Sequence, residues 1–197
     1  MNEDLKIRPD DTIFIAINPG VENFNDVSTK FEVVTAFEYI FEAARKRQIP
    51  TIFCRRREPL IMDKGVNSPH VSSFDDEFSK RYQKVLTVSK EGYLPYDGLD
   101  AFTSSDLVNR IKLSQKSAIC IFGIPIEMDV IASVFGAIRL GWKPFLISDA
   151  SSSVSERIFY ESVDIMSRVA TILDSRDLCH QVVSSSLHSC TTVIVWT

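Results

Sequence analysis

Gly123-Ile124-Pro125-Ile126-Glu127-Met128-Asp129 joins an apolar run, Ala118–Phe122, to a stretch carrying Val130, Ile131, Val134 and Ile138 at helical spacing. A buried strand that turns into a helix brings side chains beside the backbone N–H groups of the helix N-terminus. Parallel α/β sheets hold their chemistry at such places. The ionisable groups of this turn are two carboxylates, Glu127 and Asp129. Asp129 has two readings. It satisfies N–H groups of the first helical turn, where the helix dipole favours a negative charge, or it works as a general acid or base. Glu127 reads most simply as a capping residue, and Pro125 as a trans proline entering a helix; an Ile124–Pro125 cis bond is the alternative.

Other reactive groups are scattered. Four cysteines, at 54, 120, 179 and 190, show no CxxC or metal-ligand spacing. Cys54 ends one strand-like run with no His-like partner in sequence, and Cys120 alternates with Ile119 and Ile121 inside another. Both read as buried structural thiols. His180 and His188 fit no triad. Arg55-Arg56-Arg57 reads as a solvated basic stretch, with an anion site at the strand ends as the alternative. Asn-Pro-Gly-Val-Glu-Asn after the first strand lacks GxGxxG, which disfavours a dinucleotide-binding dehydrogenase.

The elements that must position these groups follow from patterning. Thr12–Ile17 (TIFIAI) reads as a strand buried on both faces. Thr29-x-x-Glu32 reads as a capping box, followed by Val33, Val34, Phe37, Ile40, Phe41 and Ala44 on one helical face and a basic C-terminal end. Further strands are expected at Thr51–Cys54, Val85–Val88, Ala118–Phe122, Pro144–Ile147 and Val169–Leu173. Between them, Ser104 or Ser105 can cap a helix with Leu107, Val108, Ile111 and Leu113. Gly141 would end the next helix, Ser153–Ser167 would form another, and Asp174-Ser175 would start a last short one. Residues 55 to 84 and the loop Gly92–Asp100 read as irregular. Strands alternating with helices indicate an α/β fold, three-layer α/β/α, with a six-stranded parallel sheet.

The whole chain has 197 residues, 45% hydrophobic and 24% charged, with a formal net charge of -4. That fits one globular domain, expected at 1–183, with a C-terminal extension at 184–197 that ends in the β-prone Thr191–Trp196. No basic excess points to nucleic acid, and no apolar run approaches the ~20 residues of a membrane span. The acidic start lacks a signal-peptide core. Together with cysteines in strand-like runs, it sets the expectation of a cytoplasmic protein with reduced thiols.

The turn at 123–129 resembles that of the isochorismatase-like cysteine hydrolases, nicotinamidases among them, where the run is Gly-hydrophobe-x-Thr-acid-x-Cys-Val. The resemblance spans most of the chain and implies an isochorismatase-like fold and a homo-oligomer. In that family an Asp ending the first strand, a Lys from the strand-three region and the Cys act together. Carried onto this sequence, Asn18 takes the Asp place (Pro19 if the lengths differ by one), Lys90 matches the Lys, and Asp129 takes the Cys place. Val21–Phe24 lies roughly over the family's Gln-Asn-Asp-Phe, so Phe24, with Pro125 and Ile126, is expected to border the pocket. Lys90 is the partner expected for Asp129. The family's metal run, Asp-x-His-Pro, corresponds to Arg56-Arg57-Glu58-Pro59, with only His70 nearby, so no metal and no cofactor is expected.

The chemistry follows from those substitutions. A cysteine amidase needs a thiolate, a carboxylate to take its proton, and backbone amides for the oxyanion. Asp129 is a far weaker nucleophile, and Asn18 accepts no proton. Two functions remain. One is a binding or scaffolding protein holding a small ligand at the old pocket. The other is a hydrolase of a small amide or enol ether using Asp129 and Lys90.

Overall fold

A computed structural model describes residues 7–24, 27, 29–57, 76–86 and 92–184. Six parallel strands form one sheet: β1 (Thr12–Ile17), β2 (Thr51–Arg56), β3 (Leu94–Tyr96), β4 (Ala118–Gly123), β5 (Lys143–Ile147) and β6 (Thr171–Leu173). Their order is β3-β2-β1-β4-β5-β6. The chain therefore runs outward from β1 to β3, crosses back, and runs outward again from β4 to β6. Right-handed crossovers put helices on both faces. On one lie α1 (Lys30–Arg47), α2 (Asp76–Leu86) and α6 (Ser175–Ser184). On the other lie α3 (Ser105–Ser114), α4 (Ile131–Arg139) and α5 (Glu156–Ser167).

The strands split their side chains between two cores, as a period of two requires. Phe14 and Ala16 of β1 join Cys120 and Phe122 of β4 under α1, while Ile13, Ile15, Ile17, Ile119 and Ile121 pack under α3 and α4. The α1 side is dominated by rings: Phe24, Phe37, Phe41, Phe78 and Phe122 meet at centroid distances of 5.5–6.1 Å. Such contacts favour edge-to-face and tilted geometry.

Several sequence expectations are corrected. Val85–Val88 is not the third strand. Val85 lies in α2, with Tyr82 and Phe78 one and two turns earlier on the same buried face, and 87–91 fall outside the described residues. A short apolar run does not separate strand from helix; here the aromatic stripe behind it decides. The third strand is Leu94–Tyr96, inside the stretch read as a loop, and β2 continues through Arg55 and Arg56. The α5 helix starts at Glu156 rather than Ser153, and β6 at Thr171 rather than Val169. Thr29 makes no capping hydrogen bond; its hydroxyl meets the Ser152 hydroxyl at 2.6 Å instead. Gly141 ends α4 as expected, with φ +87° and its N–H on the Ile138 carbonyl.

β4 and β1 meet closely at Gly123. Its φ is +141°, and a Cβ there would collide with the Ile17 carbonyl. Gly123→Ala is expected to lower unfolding free energy by about 3 kcal/mol or more, combining backbone strain with a backbone clash. Urea unfolding of the variant checks this.

Candidate functional site

The chain order reverses between β1 and β4, the switch point of a doubly wound sheet, where the carboxyl ends of the strands open a crevice. Asn18 ends β1 there. Its backbone is left-handed, φ +46°, a conformation that asparagine tolerates better than most residues. Its N–H donates to the Cys54 carbonyl at 2.8 Å, and its own carbonyl accepts from the Asn23 side chain at 2.9 Å. On the other side of the switch point, β4 leaves through Gly123 and a cis Ile124–Pro125 bond, against the trans proline expected. Ile126–Val130 then forms one wide π turn before α4. Such single turns insert an extra residue and re-aim side chains, often at functional sites.

That turn buries Asp129 completely, at 0% exposure. Its Oδ1 accepts from the Tyr96 hydroxyl at 2.6 Å, and its Oδ2 meets the Arg56 guanidinium at 3.2 Å. Asn18 Oδ1 accepts from the Arg56 backbone N–H at 2.9 Å and lies 3.1 Å from the Tyr96 hydroxyl. Arg56 and Tyr96 are register neighbours in β2 and β3. Four elements thus converge on one carboxylate: the ends of β1, β2 and β3 and the turn after β4.

Burial is the main influence on this group and raises the Asp129 carboxyl above its ordinary range; Tyr96, Arg56 and Asn18 pull it down. The same burial, with Asp129 alongside, raises the Tyr96 phenol, so its hydroxyl stays a neutral donor. Both oxygens of Asp129 are occupied and neither is exposed. As it stands, the group is a satisfied buried charge rather than a presented nucleophile.

The other expected site residues fall as follows. Lys90 lies outside the described residues. Phe24 is fully buried among Phe37, Phe78 and Tyr82 in the α1 core, and Ile126 is fully buried in the opposite core. Pro125 is half-buried and caps the π turn. Glu127 keeps one carboxylate oxygen, Oε2, buried without a hydrogen-bond partner among the described residues. The arginine run is not one solvated stretch. The Arg56 side chain is 12% exposed, whereas Arg55 lies over the Tyr93 ring and Arg57 pairs with Asp97 at 2.9 Å. The Cys54 thiol is buried and pushed up to about 12 by desolvation, and Cys120 is raised by the same cause, so both are inert. Among the described residues no three His, Cys, Asp or Glu side chains are grouped to hold a metal, and His70 lies outside them.

Sequence reasoning missed Arg56 and Tyr96. The usable signal was alternation. Ile52 and Cys54 face the α3 side, so Arg56, two residues on, must leave the sheet on that side at its carboxyl end. Tyr96 carried no comparable signal, because Pro95 interrupts a strand of three residues.

Removing one partner of a buried pair strands the other. Arg56→Met is expected to cost about 3 kcal/mol near neutral pH, and Tyr96→Phe about 1–3 kcal/mol. The pH dependence has a definite sign. An Asp whose folded value is raised contributes stability below its unfolded value, about 3.9, and loses that contribution as pH rises through the folded value. Without Arg56 the folded value rises further, so the penalty of Arg56→Met grows with pH and shrinks on acidification. Denaturant unfolding at stepped pH measures it; a penalty independent of pH would contradict the buried pairing.

A family model described as the isochorismatase domain matches residues 12–177. No curated protein matches. Among solved structures, the chain is similar to the YcaC gene product of Escherichia coli, described as an octameric hydrolase of unknown specificity. The TM-score is 0.70 at 17% identity, covering 96% of this chain and 87% of that one. MAR1 ribonuclease of Caenorhabditis elegans gives a TM-score of 0.69 at 19% identity, covering 94% and 88%. The pyrazinamidase/nicotinamidase of Streptococcus mutans gives 0.62 at 16%, covering 82% and 99%. At such identities the likeness speaks for the fold alone. With the family model spanning most of the sequence, the chain belongs to the isochorismatase family.

Proposed function

We propose that this chain has given up cysteine-hydrolase chemistry and serves as a binding or scaffolding protein on the isochorismatase fold. The observation that carries the reading is the fully buried Asp129, held by Tyr96 and Arg56 where the family pattern has its thiol. A nucleophile must reach substrate and be matched with a base. Here the acid is enclosed, and Asn18 is an amide whose oxygen takes the Arg56 N–H. Degeneration of the old site leaves the fold able to hold a small ligand and to assemble as a homo-oligomer, as the octameric YcaC protein does.

One observation favours a second reading, an active hydrolase of a small amide or enol ether. Burial raises the Asp129 carboxyl, the direction a general acid needs. Asp129 would then protonate a leaving group, with Lys90 as the partner that the family resemblance implies.

Hydrolysis assays separate the two. Nicotinamide, pyrazinamide and isochorismate are the substrates, with a single-stranded RNA added because a ribonuclease shares the fold. The first reading expects turnover no faster than the uncatalysed background, and Asp129→Ala and Lys90→Ala indistinguishable from the parent. Turnover abolished in both variants overturns it in favour of the second. The double replacement Asn18→Asp with Asp129→Cys is expected to bring amidase activity above background, provided circular dichroism shows the variant folded.

A further inference from the structure

We infer that a second cavity, separate from the Asp129 network, binds a small organic cation of the ammonium type. It has a volume of about 220 Å³ and lies where the N-terminal turns of α1 and α5 meet the loop after β5. Three kinds of group line it. Phe159 and Tyr160 present rings 5.4 Å apart at 74°. Ser151, Ser152 and Ser153, each 2% exposed, form a small polar wall. The charged residues of the lining, Glu32, Asp149 and Glu156, are all acidic.

The charge balance sets the sign of the ligand. Asp149 is committed, accepting the Ser175 N–H at 2.8 Å and the Ser175 hydroxyl at 2.6 Å. Glu32 and Glu156 have no ion-pair partner among the described residues. The nearby cations are engaged elsewhere: Lys30 sits over the Phe31 and Phe78 rings, and Arg157 pairs with Glu161 at 3.2 Å. Each helix N-terminus contributes roughly half a positive charge. Two carboxylates against about one unit of helix dipole leave the cavity negative, which disfavours an anion.

The rings set the class of cation. Tyr160 is 63% exposed, an unusual position for a ring with no core to fill. A ring face beside carboxylates with no ion-pair partner among the described residues is the chemistry that recognises ammonium groups, by cation–π attraction added to charge pairing. The volume is below that of drug-sized pockets, which suits a ligand of a few carbons around one charged nitrogen. A metal ion fits less well, because aromatic rings line the space where oxygen ligands would be needed.

Calorimetric titration of the full chain with paired probes tests this. Choline is set against its uncharged isostere 3,3-dimethylbutanol, and butylammonium against butanol. At least one cation is expected to bind about tenfold more tightly than its neutral partner, and to weaken as salt is added. Glu32→Gln with Glu156→Gln is expected to remove most of that preference, and Tyr160→Leu to weaken binding severalfold. All three positions are exposed, and thermal melting verifies that the variants fold. Binding of neutral and cationic probes alike, or no cation binding up to about 10 mM, overturns the assignment. So does preference surviving in the double Gln variant. Hydrolase assays do not enter this test, so its failure leaves the reading of Asp129 standing.

Discussion

A carboxylate with no exposed surface at the centre of the sheet's carboxyl edge constrains everything around it. An isolated ion there would cost several kcal/mol in lost hydration, so Asp129 must either be neutral or be surrounded. The fold surrounds it. The order β3-β2-β1-β4 sets Tyr96, Arg56 and Asn18 on successive strands beside the turn that carries Asp129. None of these groups reaches the others along the chain; only the sheet brings them together. Gly123 completes the arrangement by letting the exit of β4 lie against the Ile17 carbonyl.

If Asn18 and Asp129 stand where the family pattern has its acid and its thiol, as proposed, the site has moved its negative charge rather than lost it. The family's carboxylate ends the first strand, next to a thiol on the helix turn. Here the strand end carries the amide of Asn18 and the helix turn carries the acid. An acid at both places would set two carboxylates side by side in a buried site, where they cannot both ionise. With a single acid, one guanidinium and one phenol suffice, and Arg56 and Tyr96 supply them. Both carboxylate oxygens of Asp129 still meet polar partners.

The parts of this architecture legible in the sequence were those whose signal is local. β1, β2, β4 and β5 announce themselves as apolar, β-branched runs because they are covered on both faces. The Asp129 turn was legible for the same reason, as the join between such a run and a helical stripe. The misses share a different cause. Among its described side chains α2 buries Phe78, Tyr82 and Val85 in a polar segment, and its end resembles a strand. β3 gains its state from pairing with β2, not from its own residues. Arg56 was visible as an arginine, but its pairing with an acid 73 residues away is a property of register. Cross-strand partners of this kind follow from topology, so a reading of the chain that stops short of strand order cannot assign them.

The loop after β5 ties the two regions of interest into one rigid piece. The Ser151 hydroxyl takes the Gly123 N–H, the Ser152 N–H donates to the Gly123 carbonyl, and the Ser152 carbonyl takes the Ile126 N–H at 2.8 Å. The Ser152 hydroxyl meanwhile meets Thr29 at the start of α1. The Asp129 turn is therefore clamped by hydrogen bonds that do not involve Asp129, each contributing about 1 kcal/mol net. None of these bonds uses the side chain at 129. On the proposed reading, these bonds let the turn keep its course whichever side chain stands at 129. The same serines form a wall of the acidic cavity, so the rigidity that holds the old site also preorganises the second one.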